Sequence, residues 1–195
     1  MKSQRLTTQA FPTPSWVRRW LDPLVGTTML ELGNKTKGKM VYKDVFESLG
    51  FGHVSVDLNG KNGALALDLR KPLNLGTFDM VTNIGTSEHV SVNDYAGQAG
   101  CWRNIVEAMH VGSVLVSITP RVGVEKWKRH GRWYPTTEFF EGLAKLNGMT
   151  VERLEMDDNE QYARLRRTVI VDFEMPGFGL YANPDPINKR TNAFG

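Results

Sequence analysis

Apolar runs of strand length alternate with segments of helical period along most of this chain, and the alternation begins at "TMLELGNKTKGKMVYKDVFESLG". The first five residues read as a short buried strand and Gly33 opens a turn. Val41, Val45 and Leu49 then recur at every fourth position, with Gly50 where a helix C-cap would stand. A repeated strand, turn and helix unit restricts a chain to an α/β sandwich on a mostly parallel sheet. "HVSVD", "GALALDL", "FDMVTNI" and "GSVLVSITP" read as the next strands. Ala99, Trp102, Ile105, Val106 and Met109 make one apolar helix face, although Gly97 and Gly100 weaken its start. "PTTEFFEGLAKLNG" predicts a helix capped by Thr136 or Thr137 and stopped at Gly148. "MTVERLEM" and "RRTVIVDFEM" flank the polar "DDNEQYAR" and predict a closing antiparallel hairpin.

A length of 195 residues suits one core, and 41% hydrophobic with 23% charged residues is ordinary for a globular domain. The expected organisation is an N-terminal helical cap over 1–27, an α/β domain over 28–175 and an irregular Pro-, Gly- and Asn-rich tail over 176–195. In the cap, "PSWVRRWLDPL" offers Trp16, Trp20 and Leu21 on one helix side. A net charge of +3 permits an acidic partner, but no long run of Lys or Arg forms a nucleic-acid stripe. The single cysteine, Cys101, excludes an internal disulfide. Neither a signal peptide nor a membrane span is legible, and the expected location is cytoplasmic.

The turn after the first strand lies at the carboxyl edge of a parallel sheet, where ligands bind. A dinucleotide fingerprint wants glycine at its first, third and sixth places, and this turn supplies Gly33, Lys35 and Gly38. Taken alone it reads equally well as a helix-entry turn with solvated lysines. Asp57, closing "HVSVD", stands near the spacing of about 20 residues at which an acidic group receives the two hydroxyls of a ribose. Gly33, Gly38 and Asp57 would also suit a nicotinamide-dependent oxidoreductase, but that scheme has no task for Asp68 or for "SEHV".

The ordered series "LELG", "VSVD", "LALDLRKPL", "FDMVTNIGTSEHV" and "HVGSVLVSITP" resembles the successive motifs of class I S-adenosylmethionine-dependent methyltransferases. The resemblance covers residues 29 to about 173 and implies a Rossmann-like three-layer sandwich whose mostly parallel sheet has seven strands. It further implies S-adenosylmethionine as cofactor. Glu31, Gly33, Asn34 and Lys35 would surround its amino-acid end, Asp57 with Leu58 its ribose, and Asp68 with the backbone of Leu69 its adenine. Asn83 and Gly85 would line the floor. The loop departs from the family pattern, because Lys35 and Lys37 replace its next two glycines. Lys35 pointing outward or pairing with the cofactor carboxylate are equally open readings.

After the fourth strand these enzymes meet their acceptor. "SEHV" resembles the Glu-His-Val or Glu-His-Ile of small-molecule methyltransferases and lacks the proline-aromatic motif of DNA amino-methylating enzymes. Glu88 and His89 are the candidate catalytic residues, since imidazole can take an acceptor's proton near neutral pH. His89 as a packed, pocket-shaping residue is the competing reading. Thr86, Trp127, His130 and Tyr134 are candidate acceptor-binding residues, the last three in a basic aromatic stretch, 121–140, that reads as a lid before it reads as a nucleic-acid surface. His53, His89, His110 and His130 are scattered with no ligand spacing, so no metal site is expected. The sequence therefore predicts methyl transfer to a small-molecule acceptor, with a nucleic acid second, a catalytically inactive binding protein as the alternative, and the oligomeric state unreadable.

Overall fold

A computed structural model describes residue 20 and residues 27–37, 40–90 and 94–184. The expected N-terminal helix, Gly38 and the tail beyond residue 184 lie outside these. Strand β1 (Thr28–Leu32) leads through the Gly33 turn and a small hairpin, β2 (Thr36–Lys37) with β3 (Met40–Val41), into helix α1 (Tyr42–Ser48). Val41 thus belongs to the hairpin. The helix buries Tyr42, Val45 and Phe46, and Gly50 ends it with a φ of 90°. Next come β4 (Gly52–Val56), β5 (Phe78–Ile84), α2 (Tyr95–Glu107), β6 (Met109–Pro120), β7 (Trp133–Pro135) and α3 (Thr137–Leu146). The chain closes with β8 (Met149–Met156), β9 (Glu160–Arg167) and β10 (Leu180–Ala182).

The main sheet runs β4-β1-β5-β6-β9-β8, with the first four strands parallel and the last two antiparallel. It has six strands among the described residues, where seven were expected. The missing one is "GALALDL": only Leu65 meets β4, its N–H donating to the Ser55 carbonyl and its carbonyl accepting from Asp57, before the chain turns away. The closing hairpin exists but is displaced. Its second strand is "EQYARLRR", in which Gln161, Ala163, Leu165 and Arg167 alternate inward. The more apolar "TVIVD" lies beyond it, with Ile170 58% exposed.

Side-chain alternation along the strands makes two apolar layers. Leu30, Leu32, Val81 and Leu115 face α2 and α3, packing with Trp102, Ile105, Phe139 and Phe140. Met29, Met80, Val114 and Val116 face the opposite way, onto Phe46 of α1 and Trp20, which stacks on Tyr162. A fully buried aromatic such as Phe46 contributes roughly 1.5–3 kcal/mol. One of the glycines in helix α2 has a packing reason: a side chain at Gly100 would collide with the Arg70 carbonyl. Part of the expected irregular tail is ordered, since β10 pairs with β7 and Asn183 donates from Nδ2 to the carbonyls of Lys128 and Gly131, both at 2.8 Å.

Candidate functional site

The carboxyl ends of β1, β4, β5 and β6 are neighbours, so the loops that follow them share one edge of the sheet. At the end of β1, Gly33 has a φ of 83° and donates its N–H to Val56. The left-handed backbone favours glycine, and so does the space: a Cβ here would stand 2.5 Å from the Thr86 hydroxyl. Thr86 donates that hydroxyl to the Leu32 carbonyl at 2.8 Å. It therefore latches the end of β5 to the end of β1, beside the Gly33 turn.

Glu31 is buried beneath the same turn. Its Oε1 accepts the Lys35 N–H at 3.2 Å and its Oε2 lies 3.0 Å from His53 Nε2. Burial raises its pKa, with His53 and Lys35 opposing. Lys35 sends its side chain inward: its ammonium would stand 2.5 Å from a Cβ on Gly85, and Glu88 Oε1 is 3.5 Å from the same point. Asn34 donates from Nδ2 to Asn59 Oδ1 at 3.0 Å and to the Lys61 carbonyl at 2.7 Å, tying the first loop to the loop after β4.

Asp57 directly follows β4 and its Oδ1 accepts the Asn59 N–H at 2.9 Å, while its Oδ2 has no hydrogen-bond partner among the described residues. Leu58 beside it is 37% exposed. Asp68 is held by Arg70 through both carboxylate oxygens at 2.9–3.1 Å, and this bonding keeps its pKa below the usual carboxylate value. The Leu69 carbonyl accepts from Asn104 at 2.8 Å and its side chain enters the core. Tested against the cofactor that the motif resemblance implies, the cleft fits at its two ends: Asp57 keeps one oxygen for a ribose, and Lys35 supplies a cation for a carboxylate. The middle of the cradle is narrowed by Thr86.

The second half of the edge is built from buried polar groups. Asn83 donates to Ser87 Oγ at 2.8 Å and Ser117 Oγ at 3.0 Å, and accepts the Ser87 N–H at 3.0 Å. All its side-chain bonding joins parts of the framework. Gln98 of α2 donates to the carbonyls of Ser87 and Val90, fixing the 3-10 turn Ser87–His89. That turn carries Glu88, which is 0% exposed and whose two carboxylate oxygens have no hydrogen-bond partner. His130 Nε2 lies 3.6 Å and His89 Nε2 3.8 Å from Glu88 Oε1, and the two imidazole rings meet edge to face with centroids 4.6 Å apart. Burial raises the Glu88 pKa, but His130, His89 and Lys35 outweigh it and hold the group below its ordinary value.

Contrary to the sequence expectation, two of the four scattered histidines and a carboxylate thus come together, with ligand atoms within 4.8 Å of one another. Residues that the sequence did not single out create this. Gly131 leaves room for Glu88, because a Cβ there would stand 2.7 Å from Glu88 Cγ, and Arg132 donates its N–H to the Glu88 carbonyl at 2.8 Å. Tyr134 holds the loop. Its hydroxyl donates to the Trp127 carbonyl at 2.5 Å and accepts the Gly131 N–H at 2.9 Å, which makes it a brace for the candidate site. Trp127 donates Nε1 to the Asn159 carbonyl at 2.6 Å and lies against His130, with ring centroids 4.7 Å apart. Gln98, buried on α2, is a further member of this network that the sequence did not mark.

A scan against protein-family models finds no match, and a search of curated protein sequences finds none. Solved structures do resemble the chain. An N1-methyltransferase for 1,6-didemethyltoxoflavin from Burkholderia thailandensis, crystallised with that molecule and S-adenosylhomocysteine, has a TM-score of 0.55 at 13% identity, covering 74% of this chain and 72% of its own. A TehB-like methyltransferase from Corynebacterium glutamicum reaches 0.55 at 14% identity, covering 77% and 86%. The N-methyltransferase NodS from Bradyrhizobium japonicum reaches 0.53 at 12% identity, covering 75% and 89%. With the parallel core of the sheet and the closing antiparallel pair, these likenesses give this chain the Rossmann-like fold of class I S-adenosylmethionine-dependent methyltransferases.

Proposed function

We propose that the chain is an S-adenosylmethionine-dependent methyltransferase for a small-molecule acceptor. The observation that carries this reading is convergence: the Gly33 turn, the half-committed Asp57 carboxylate and the buried Glu88 with His89 and His130 share one sheet edge. S-adenosylmethionine, when bound, supplies an electrophilic methyl group on a sulfonium. The chain's own residues then need to align the acceptor and exclude water. Asp57 would take the ribose hydroxyls and Lys35 the cofactor carboxylate, with Glu31 setting the turn through the Lys35 N–H. Leu58 would pack on the base, and Asp68 and Leu69 form the adenine edge with Gly33, Asn34, Asn83 and Gly85 shaping the rest.

On the acceptor side, Glu88 holds negative charge between His89 and His130, a setting that orients a nucleophile and receives its proton. Trp127 walls the cleft beside His130. A nucleic-acid acceptor is less well served. Trp133 and Tyr134 are buried, and one face of Trp127 is taken by Lys126, so the stretch offers few free rings for bases.

Isothermal titration with S-adenosylmethionine should show binding, which Asp57→Ala weakens at least about tenfold, or about 1.4 kcal/mol, without a change in melting temperature. Binding of NAD instead, or unaltered binding by the variant, overturns the assignment. A mass-spectrometric screen for methylated metabolites separates an active enzyme from a protein that only binds.

A further inference from the structure

We infer that Glu88, His89 and His130 form a binding site for one divalent transition-metal ion, of the zinc, cobalt, manganese or iron(II) class. The site has a position left open for an oxygen donor of the acceptor. The ion site stands on the side-chain arrangement alone; its role toward the acceptor rests on the methyl-transfer reading.

The ligand set comes first. One carboxylate oxygen and two imidazole nitrogens can approach a common point, all three lying within 4.8 Å of one another. A tetrahedral ion with bonds of about 2.0–2.1 Å needs roughly 3.4 Å between its ligand atoms. Glu88 Oε1 already stands 3.6 Å from one imidazole nitrogen and 3.8 Å from the other. The remaining gap, between the rings, can close by rotation of His130, whose side chain is 30% exposed. Two nitrogens and one oxygen suit borderline transition metals; magnesium and calcium prefer sets made of oxygen.

The second observation is Glu88 itself. Both oxygens of this fully buried carboxylate lack a hydrogen-bond partner, although the Gln98 amide, the Tyr134 hydroxyl and the Arg132 backbone N–H around it are all engaged. Buried carboxylates are paired or bind metal. The pocket is also shaped around this group, because Gly131 gives it space and the Arg132 N–H fixes its backbone. The competing counter-charge is the Lys35 ammonium, which approaches from the cofactor side past Gly85. His89 comes from the 3-10 turn and His130 from the 121–135 loop, whereas Lys35 reaches Glu88 from the turn after β1. Three protein ligands leave at least one coordination position for a small molecule, as in catalytic metal sites. A hydroxyl or carboxylate oxygen of the acceptor is the donor this position would take.

The test uses the full chain, freed of any histidine tag and treated with chelator. Titration with Co²⁺ should produce visible ligand-field absorption that saturates at one equivalent, and Zn²⁺ should raise the melting temperature while equimolar Mg²⁺ does not. His89→Ala and His130→Ala should each weaken Co²⁺ binding at least tenfold. The metal-free melting temperature of each variant reports whether it folds, and the exposed His130 is the safer of the two. His110→Ala, whose imidazole pairs with Asp79 away from the cluster, should bind as the unaltered chain does. Lys35→Met should leave Co²⁺ binding intact or tighten it. Lack of any spectral change at millimolar Co²⁺ overturns the site, and so does binding that survives loss of both histidines. Titration with S-adenosylmethionine without metal keeps the two readings apart: cofactor binding without Co²⁺ binding sinks only the ion site, and the reverse sinks only methyl transfer.

Discussion

Two asparagines at the same sheet edge are fixed in opposite ways. Asn34, after β1, is half-exposed and joins two loops through one amide nitrogen. Asn83, in β5, is buried and bonded on both sides of its amide. The contrast extends to their surroundings. The loop after β4 is tied mostly within itself, as in Asp57 with Asn59 or Lys61 with Asn59. The turn on the acceptor side is tied into helix, sheet and the 127–134 loop through Gln98, Asn83 and the Arg132 N–H. Bonds near solvent can break and re-form around a ligand at small net cost, whereas a buried polar group left without its partner pays its full desolvation. Under the proposed function this contrast is a division of labour: an adaptable grip for the cofactor and a rigid frame for the reacting groups.

The largest expected effect falls on the rigid half. Asn83→Ala leaves the Ser87 N–H and two buried hydroxyls short of a partner, and should lower stability by about 3 kcal/mol. For a chain of this length that is a fall in melting temperature of roughly 6–12 °C, measured by calorimetry. A loss below about 1 kcal/mol would erase the contrast between the halves.

Lys35→Met sharpens the comparison from the other side. It removes a cation that the cofactor-side cleft holds inward, so S-adenosylmethionine should bind about tenfold more weakly while adenosine, which has no carboxylate, binds as before. Equal weakening of both ligands would mean that Lys35 shapes the whole cleft. Asn34→Ala should cost only about 0.5–1 kcal/mol by urea denaturation, because water replaces its two bonds. A cost equal to that of Asn83→Ala would show the cofactor loops to be as rigid as the acceptor turn.

Much of the fold was legible because period and turn chemistry agreed. The first strand, Gly50 as a helix stop and helix α3 all follow from local pattern, although the Thr136 hydroxyl bonds Glu138 and caps no backbone N–H. Two strands misled, each for a physical reason. In "EQYARLRR" the inward positions are Gln161, Ala163, Leu165 and Arg167, so the period of two is present but the hydrophobicity that advertises it is weak. "GALALDL" carries the hydrophobicity, yet the chain leaves the sheet after Leu65 and the segment serves as a wall beside α2. At the site, the sequence gathered Glu31, Asp57, Glu88 and His89 through motif order. It named His130 as an acceptor-side candidate but not its pairing with Glu88, because only the folding of the 121–135 loop back onto the 3-10 turn, braced by Tyr134 and Asn183, brings that ring to Glu88. Thr86 and Asn83 stood in the motif as candidate lining, and the bonds that they make within the framework were not legible there.

The smallest effect concerns acid. Asp68 lies on the cofactor side, bonded to Arg70 at the edge of solvent, and that bonding lowers its pKa from the ordinary 3.8. A carboxylate whose pKa is lower in the folded chain stabilises the fold wherever it is ionised, above 3.8, and the contribution disappears as pH falls through the folded value. For a partly exposed pair the contribution is under about 1 kcal/mol. Asp68→Asn should therefore melt slightly below the unaltered chain at neutral pH, by a margin that stays flat down to about pH 5 and closes below pH 4. Glu31 gives the opposite sign, since burial raises its pKa: ionisation costs stability as pH rises above 4.5, so the Glu31→Gln variant should improve relative to the unaltered chain through that range. Parallel pH profiles for the two variants would show that the two carboxylates sit in equivalent surroundings, and would remove the distinction between a solvent-edge pair and a buried support beneath the cofactor turn.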